Sequence, residues 1–121
     1  MKYRLLLTNT ADGEEREIIV PANLPLEHLS PKIKVEFQLP YCDYGWHRFL
    51  SHGTAYIIKE HLIAEQEIRF EGNLYVGRYR CSDWARLKNT FTVLGSVITY
   101  IQEASGVNEY KIRITLLERI F

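Results

Sequence analysis

Residues 84–101 read WARLKNTFTVLGSVITYI, and the fold class turns on the period of their apolar positions. Trp84, Leu87, Phe91, Leu94, Ile98 and Ile101 recur at alternating steps of three and four, which is one stripe of an amphipathic helix. Ser82 offers an N-cap, Asp83 suits the positive end of a helix dipole, and Gly106 suits a C-terminal exit. The spacing therefore predicts one long helix over about 83–104. Thr90, Thr92 and Gly95 lower its intrinsic propensity, Gly95 alone by about 1 kcal/mol relative to Ala. Packing against a sheet has to hold such a helix, with Gly95 at the close approach.

The segments around this stretch carry the period of strands. Tyr3, Leu5 and Leu7 alternate with Lys2, Arg4 and Leu6, one set for each face of a sheet. Asp12-Gly13 supplies a tight connection, Arg16 to Val20 reads as the return strand, and Pro21 stops it. Asn23 can cap a helical turn over 24–29, which Pro31 is expected to end. Between Pro31 and Pro40, Ile33, Val35, Phe37 and Leu39 alternate with Lys32, Lys34, Glu36 and Gln38, the pattern of a strand with one wet face. Further strands are expected at 54–59 and in a hairpin of 67–71 with 74–81 around Gly72-Asn73. A last strand at 109–117 has Tyr110, Ile112, Ile114 and Leu116 inward. The expectation is a single α+β domain over 1–121: a mainly antiparallel sheet of about six strands with the long helix packed on one face.

Composition narrows the function classes. The chain has 121 residues, enough for one core and too few for two. Fifteen basic residues balance fifteen acidic ones, so there is no basic excess of the kind that marks a dedicated nucleic-acid binder. Cys42 and Cys81 are the two cysteines, too few for a disulfide framework. No apolar run approaches the roughly 20 residues of a membrane span. These features point to the cytoplasm, with both thiols reduced.

The segment from Tyr41 to Phe49 concentrates the candidate functional side chains: Tyr41, Cys42, Asp43, Tyr44, Trp46, His47, Arg48 and Phe49. Tyr44, Trp46 and Arg48 are the residue types that anchor protein interfaces, with Tyr41 and Phe49 supporting them. The structural alternative is that Trp46 and Phe49 plug an open end of the core. Cys42, His47 and His52 share a C-x4-H-x4-H spacing with the ligand types zinc prefers. The set lacks a fourth ligand unless Asp43 or His61 joins it. The same cysteine and histidine would serve a thiol hydrolase only within hydrogen-bond reach of each other. No Gly-x-Ser-x-Gly elbow and no glycine-rich phosphate loop is present, and no cofactor is implied.

The outer sheet face would carry Lys32, Lys34, Arg69, Arg78, Arg80, Lys111 and Arg113, interleaved with Glu36, Glu67, Glu71 and Glu109. Cross-strand ion pairs account for that pattern without a nucleic acid. The C-terminal run Leu116 to Phe121 either tucks into the core or forms an edge that pairs with a second copy, giving a homodimer. No motif is specific to a family. The sequence thus favours a small non-enzymatic protein-binding domain of adaptor, inhibitor or toxin-neutralising type. A metal- or thiol-dependent hydrolase at Cys42, His47 and His52 comes second, and nucleic-acid binding on the outer face third.

Overall fold

The computed structural model describes residues 1–39, 47–51, 54–57, 69–70, 73–74, 78–81, 86–91, 93–104 and 108–121. Its body is an antiparallel sheet of five strands: β1 (Lys2–Asn9), β2 (Glu15–Pro21), β3 (His47–Ser51), β8 (Val97–Ala104) and β9 (Asn108–Ile120). They lie side by side in the order β2-β1-β9-β8-β3. Beyond β3, β4 (Thr54–Ile57) continues the sheet antiparallel, and β7 (Arg78–Cys81) lies parallel to β4. A separate ribbon pairs β5 (Arg69–Phe70) with β6 (Asn73–Leu74).

The first hairpin and the last strand follow the alternation in the sequence. Tyr3, Leu5 and Leu7 are buried, as are Ile112, Ile114 and Leu116 opposite them. Gly13 takes φ +76° in the turn, while Asn9 and Asp12 side chains accept the amides of Ala11 and Glu14. One extra residue, Leu117, bulges out of β9 where its register with β1 shifts between Arg4 and Leu5.

Two expectations are overturned. Among the described residues, no long helix runs through 83–104. Within the described part of that span, a single turn α2 (Leu87–Thr90) precedes the eight-residue strand β8. The physical reason lies in Gly95, whose φ of +84° is incompatible with a continuing right-handed helix, and in the β-branched residues Val97, Ile98, Thr99 and Ile101. In β8 the buried Ile98, Tyr100 and Gln102 face the main core with period two. Leu94, counted in the helical stripe, is exposed instead. Ser82, Asp83, Trp84 and Gly106 lie outside the described residues.

The second correction concerns the stretch expected to be a strand between the prolines. Residues 26–28 form a 3-10 turn that runs into helix α1 (Leu29–Phe37). Pro31 does not end this helix, because it sits in the first turn, where backbone amides have no helical partner to lose. Leu26, Leu29 and Ile33 are fully buried, and Phe37 packs partly against the same core. They recur at three, four and four, so a helical stripe runs underneath the apparent alternation. Val35, an inward position of the expected strand, is 76% exposed. The six-strand sheet with one long helix is thus replaced by a longer, mostly antiparallel sheet covered by the shorter α1.

The covering layer is completed by the chain after β2, where Leu87 and Lys88 donate their amides to the carbonyls of Leu24 and Ala22 at 3.1 and 2.8 Å. α1 ends on Gln38 in the left-handed region, φ 51°. The Leu39 amide donates to Lys34 O at 3.0 Å and the Gln38 amide to Val35 O at 3.3 Å, a Schellman closure built without its usual glycine. The substitution Gln38→Gly should raise stability by about 1 kcal/mol, since a side chain in that conformation costs about that much. Urea unfolding with an unchanged slope checks this. A Gln38→Gly variant no more stable than the parent would show that the closure carries no strain.

Candidate functional site

Two places in the described residues gather polar groups or leave them without partners. The first is buried. Tyr100 on β8 donates its hydroxyl proton to Gln102 Oε1 at 3.1 Å, and Ser30 of α1 lies 3.1 Å from the same phenol oxygen. A phenol has one proton, so the Ser30 hydroxyl is the donor in the second bond. All three residues are buried. Next to them the Phe49 ring meets the Tyr100 ring at 5.1 Å between centroids, tilted by 49°. Burial pushes the Tyr100 hydroxyl up to about 12, partly offset by the Ser30 bond. Nothing about this trio is open to a substrate. What it does is fix the start of α1 to the middle of the sheet.

The second place is at the surface. β2 is the outermost strand on its side. The Asn9 amide bonds Glu14 O and the Ala22 amide bonds Met1 O, which sets the phase of the β1–β2 ladder. Even-numbered residues of β2 direct their amides and carbonyls to β1, and Glu15, Glu17, Ile19 and Pro21 direct theirs outward. Pro21 has no amide to give, and its carbonyl accepts from Leu24. The Glu15 carbonyl accepts from the Arg16 guanidinium. Among the described residues this leaves the amides of Glu15, Glu17 and Ile19 and the carbonyls of Glu17 and Ile19 without partners.

Beside this open edge runs α1. A groove of about 580 Å³ separates the two, lined by Glu17 to Val20 from the strand and by Pro31, Lys32, Val35 and Glu36 from the helix. Val35 on the helix is 76% exposed, and Ile19, whose side chain alternates with the core-facing Ile18 and Val20 onto the other face of the sheet, is 54% exposed. The geometry is that of an edge which can accept another strand while a helix supplies side-chain pockets next to it.

The residues singled out from sequence fall differently. Phe49 is fully buried in the main core. His47 and Arg48 lie on the backbone of β3, where they pair with Gln102 and Ile101 of β8. Tyr41, Cys42, Asp43, Tyr44, Trp46, His52 and His61 lie outside the described residues. Among the described residues no three His, Cys, Asp or Glu side chains gather as a metal site, and no helix is long and apolar enough to cross a membrane. β9 lies between β1 and β8, so the outer edge on this side of the sheet belongs to β2. Phe121 is 97% exposed.

The β2 groove escapes a reading of the sequence because its helical wall carries the alternation of a strand. The bare Val35 opposite a short charged edge is visible only once α1 is a helix. Comparisons with protein-family models, with curated proteins and with solved structures found no match, so no residue takes its role from a relative.

The buried trio makes a pH prediction. The Tyr100 hydroxyl ionises near pH 10 in the unfolded chain and near 12 in the folded one. Its contribution is therefore complete below pH 10 and lost as the pH climbs through 12, by up to about 3 kcal/mol. Tyr100→Phe removes that titration and takes the phenol bonds from Ser30 and Gln102, costing about 1–3 kcal/mol at pH 7. Denaturation curves should show the two proteins converging between pH 10 and 12. A constant gap across that range would mean that the phenol is not confined as described.

Proposed function

We propose that this chain is a small non-enzymatic protein-binding domain that takes an extended segment of its partner as an added strand on the edge of β2. The observation that carries the reading is the groove between that edge and α1, where the outward backbone groups of Glu17 and Ile19 run beside the bare Val35 of the helix. Strand addition draws affinity from main-chain hydrogen bonds and specificity from side chains at alternate positions. The edge supplies the first through Glu17 and Ile19. Ile18, Val35 and Pro31 supply the second on the groove side, and Ile19 supplies it on the opposite face of the sheet. A cysteine count too low for a disulfide framework and a balanced charge fit a cytoplasmic setting.

The aromatic segment with Tyr41, Tyr44, Trp46 and Arg48 is a second surface of the same class, favoured by its composition. One experiment separates the two. Peptides selected from a random library on the immobilised chain are titrated into labelled protein, and the backbone amides are followed by NMR. The expected result is protection of the Glu17 and Ile19 amides from exchange, with shifts along α1. Shifts confined to 41–48 would move the function to the aromatic segment.

Ile19→Pro gives the matching mutational test. Its amide points away from β1, so proline removes no bond of the existing ladder, and an edge strand tolerates it. The variant should fold with stability within about 1 kcal/mol of the parent and lose binding of the selected peptides. Full binding by a folded Ile19→Pro chain would rule out pairing at this edge.

A further inference from the structure

The charge pattern of the same edge says what kind of segment it can accept. The chain enters β2 through Asp12-Gly13-Glu14-Glu15-Arg16-Glu17. Arg16 is engaged by Glu14. Glu15 and Glu17 have no ion pair among the described residues, and neither does Glu36 across the groove. Lys32, one helical turn before Glu36, is the opposing charge among the lining side chains. The edge is therefore acidic where it begins and apolar where it ends, with Ile19 exposed and Ile18 half-buried.

We infer that the segment received here belongs to another protein and is basic, with Lys or Arg at alternate positions next to apolar residues. The inference rests on the strand-addition reading above. Directly opposed charges of unlike sign stabilise a strand pair and like charges destabilise it. A cation opposite Glu15 or Glu17 is matched and an anion there is repelled, while the apolar residues between them turn to the other face of the added strand, toward Ile18 and Val35.

A second copy of this chain is the main competitor, and its own edge is a poor match. Antiparallel self-pairing centred on Glu17 places that carboxylate against its twin. Centring on Ile18 sets Glu17 against Ile19 and Glu15 against Pro21, which has no amide. Either register leaves the acidic residues without a cation. The carboxylates thus disfavour self-association while selecting a basic partner.

The test uses three short fluorescent peptides at monomeric concentration: alternating Lys-Val, Thr-Val and Glu-Val. Each is titrated by anisotropy into the parent chain, into a Glu15→Lys, Glu17→Lys double variant, and into Ile19→Pro. The expected order on the parent is Lys-Val above Thr-Val above Glu-Val, with about tenfold between the first two, shrinking as salt screens the charges. The double variant should reverse the order, and Ile19→Pro should bind none of the three. Equal binding of Lys-Val and Thr-Val, both lost in Ile19→Pro, would overturn the basic preference and leave strand addition standing. Lys-Val binding that survives in Ile19→Pro, or no binding of any peptide, would overturn both. A concentration-dependent dimer in sedimentation, abolished by Ile19→Pro, would assign the edge to a second copy instead.

Discussion

The pairing of β1 with β9 is the constraint on which the rest of this structure depends. It joins residues 2–9 to residues 112–120, and so closes nearly the whole chain into one sheet. The entropy of that closure has to be met by contacts that form together: Leu5 with Leu116 and Leu7 with Ile114, all fully buried. A sheet held by such distant partners forms more slowly than one made of local hairpins. The pairing also decides where the sheet ends. With β9 between β1 and β8, β2 is left with a neighbour on one side only.

The second constraint sets what lies beside that edge. Through Ser30, Tyr100 and Gln102, the first turn of α1 is tied to the central strand β8. Leu29 and Ile33 then settle on the sheet, and the flank of the helix that carries Lys32, Val35 and Glu36 borders β2. A hydrogen-bonded polar trio is more directional than an apolar contact, because leaving any member unpaired in a buried setting costs about 1–3 kcal/mol. It fixes the placement of a helix only nine residues long, which apolar contacts alone would leave freer to slide. The groove is a consequence of that placement.

Much of the sheet was legible in the sequence, and the failures have physical causes. Tyr3, Leu5, Leu7 and Ile112, Ile114, Leu116 keep a strict alternation with no competing period, so β1 and β9 can be read directly. In 29–37 two periods coexist. Ile33, Val35 and Phe37 satisfy an alternation, while Leu26, Leu29, Ile33 and Phe37 satisfy a helix. The Schellman closure at Gln38 lacks the glycine that would announce it. In 84–101 the competition runs the other way, since Ile98 and Ile101 fit both a helical stripe and the two faces of a strand. Gly95 is the deciding residue, and its role in the fold is to leave the helical region rather than to admit a close neighbour. The β2 groove inherits these ambiguities, because an edge becomes a site only through what stands beside it.

Magnitudes show why the groove matters more than the bare edge. Five outward backbone groups are open on β2 among the described residues, and each bond made there is worth about 0.5–1.5 kcal/mol net. Four such bonds give roughly 4 kcal/mol. Ordering a flexible segment over about four residues costs about 1–2 kcal/mol per residue. Main-chain pairing alone therefore breaks even at best, which is how charged, short edges avoid indiscriminate pairing. A segment that binds has to recover more from its side chains than from its backbone. The places that can supply this are the exposed Ile19 and Val35, worth about 25 cal/mol for each Å² they lose to water exclusion, and the carboxylates of Glu15, Glu17 and Glu36. In the proposed strand addition, discrimination between segments therefore comes from the side chains beside the edge and not from its backbone.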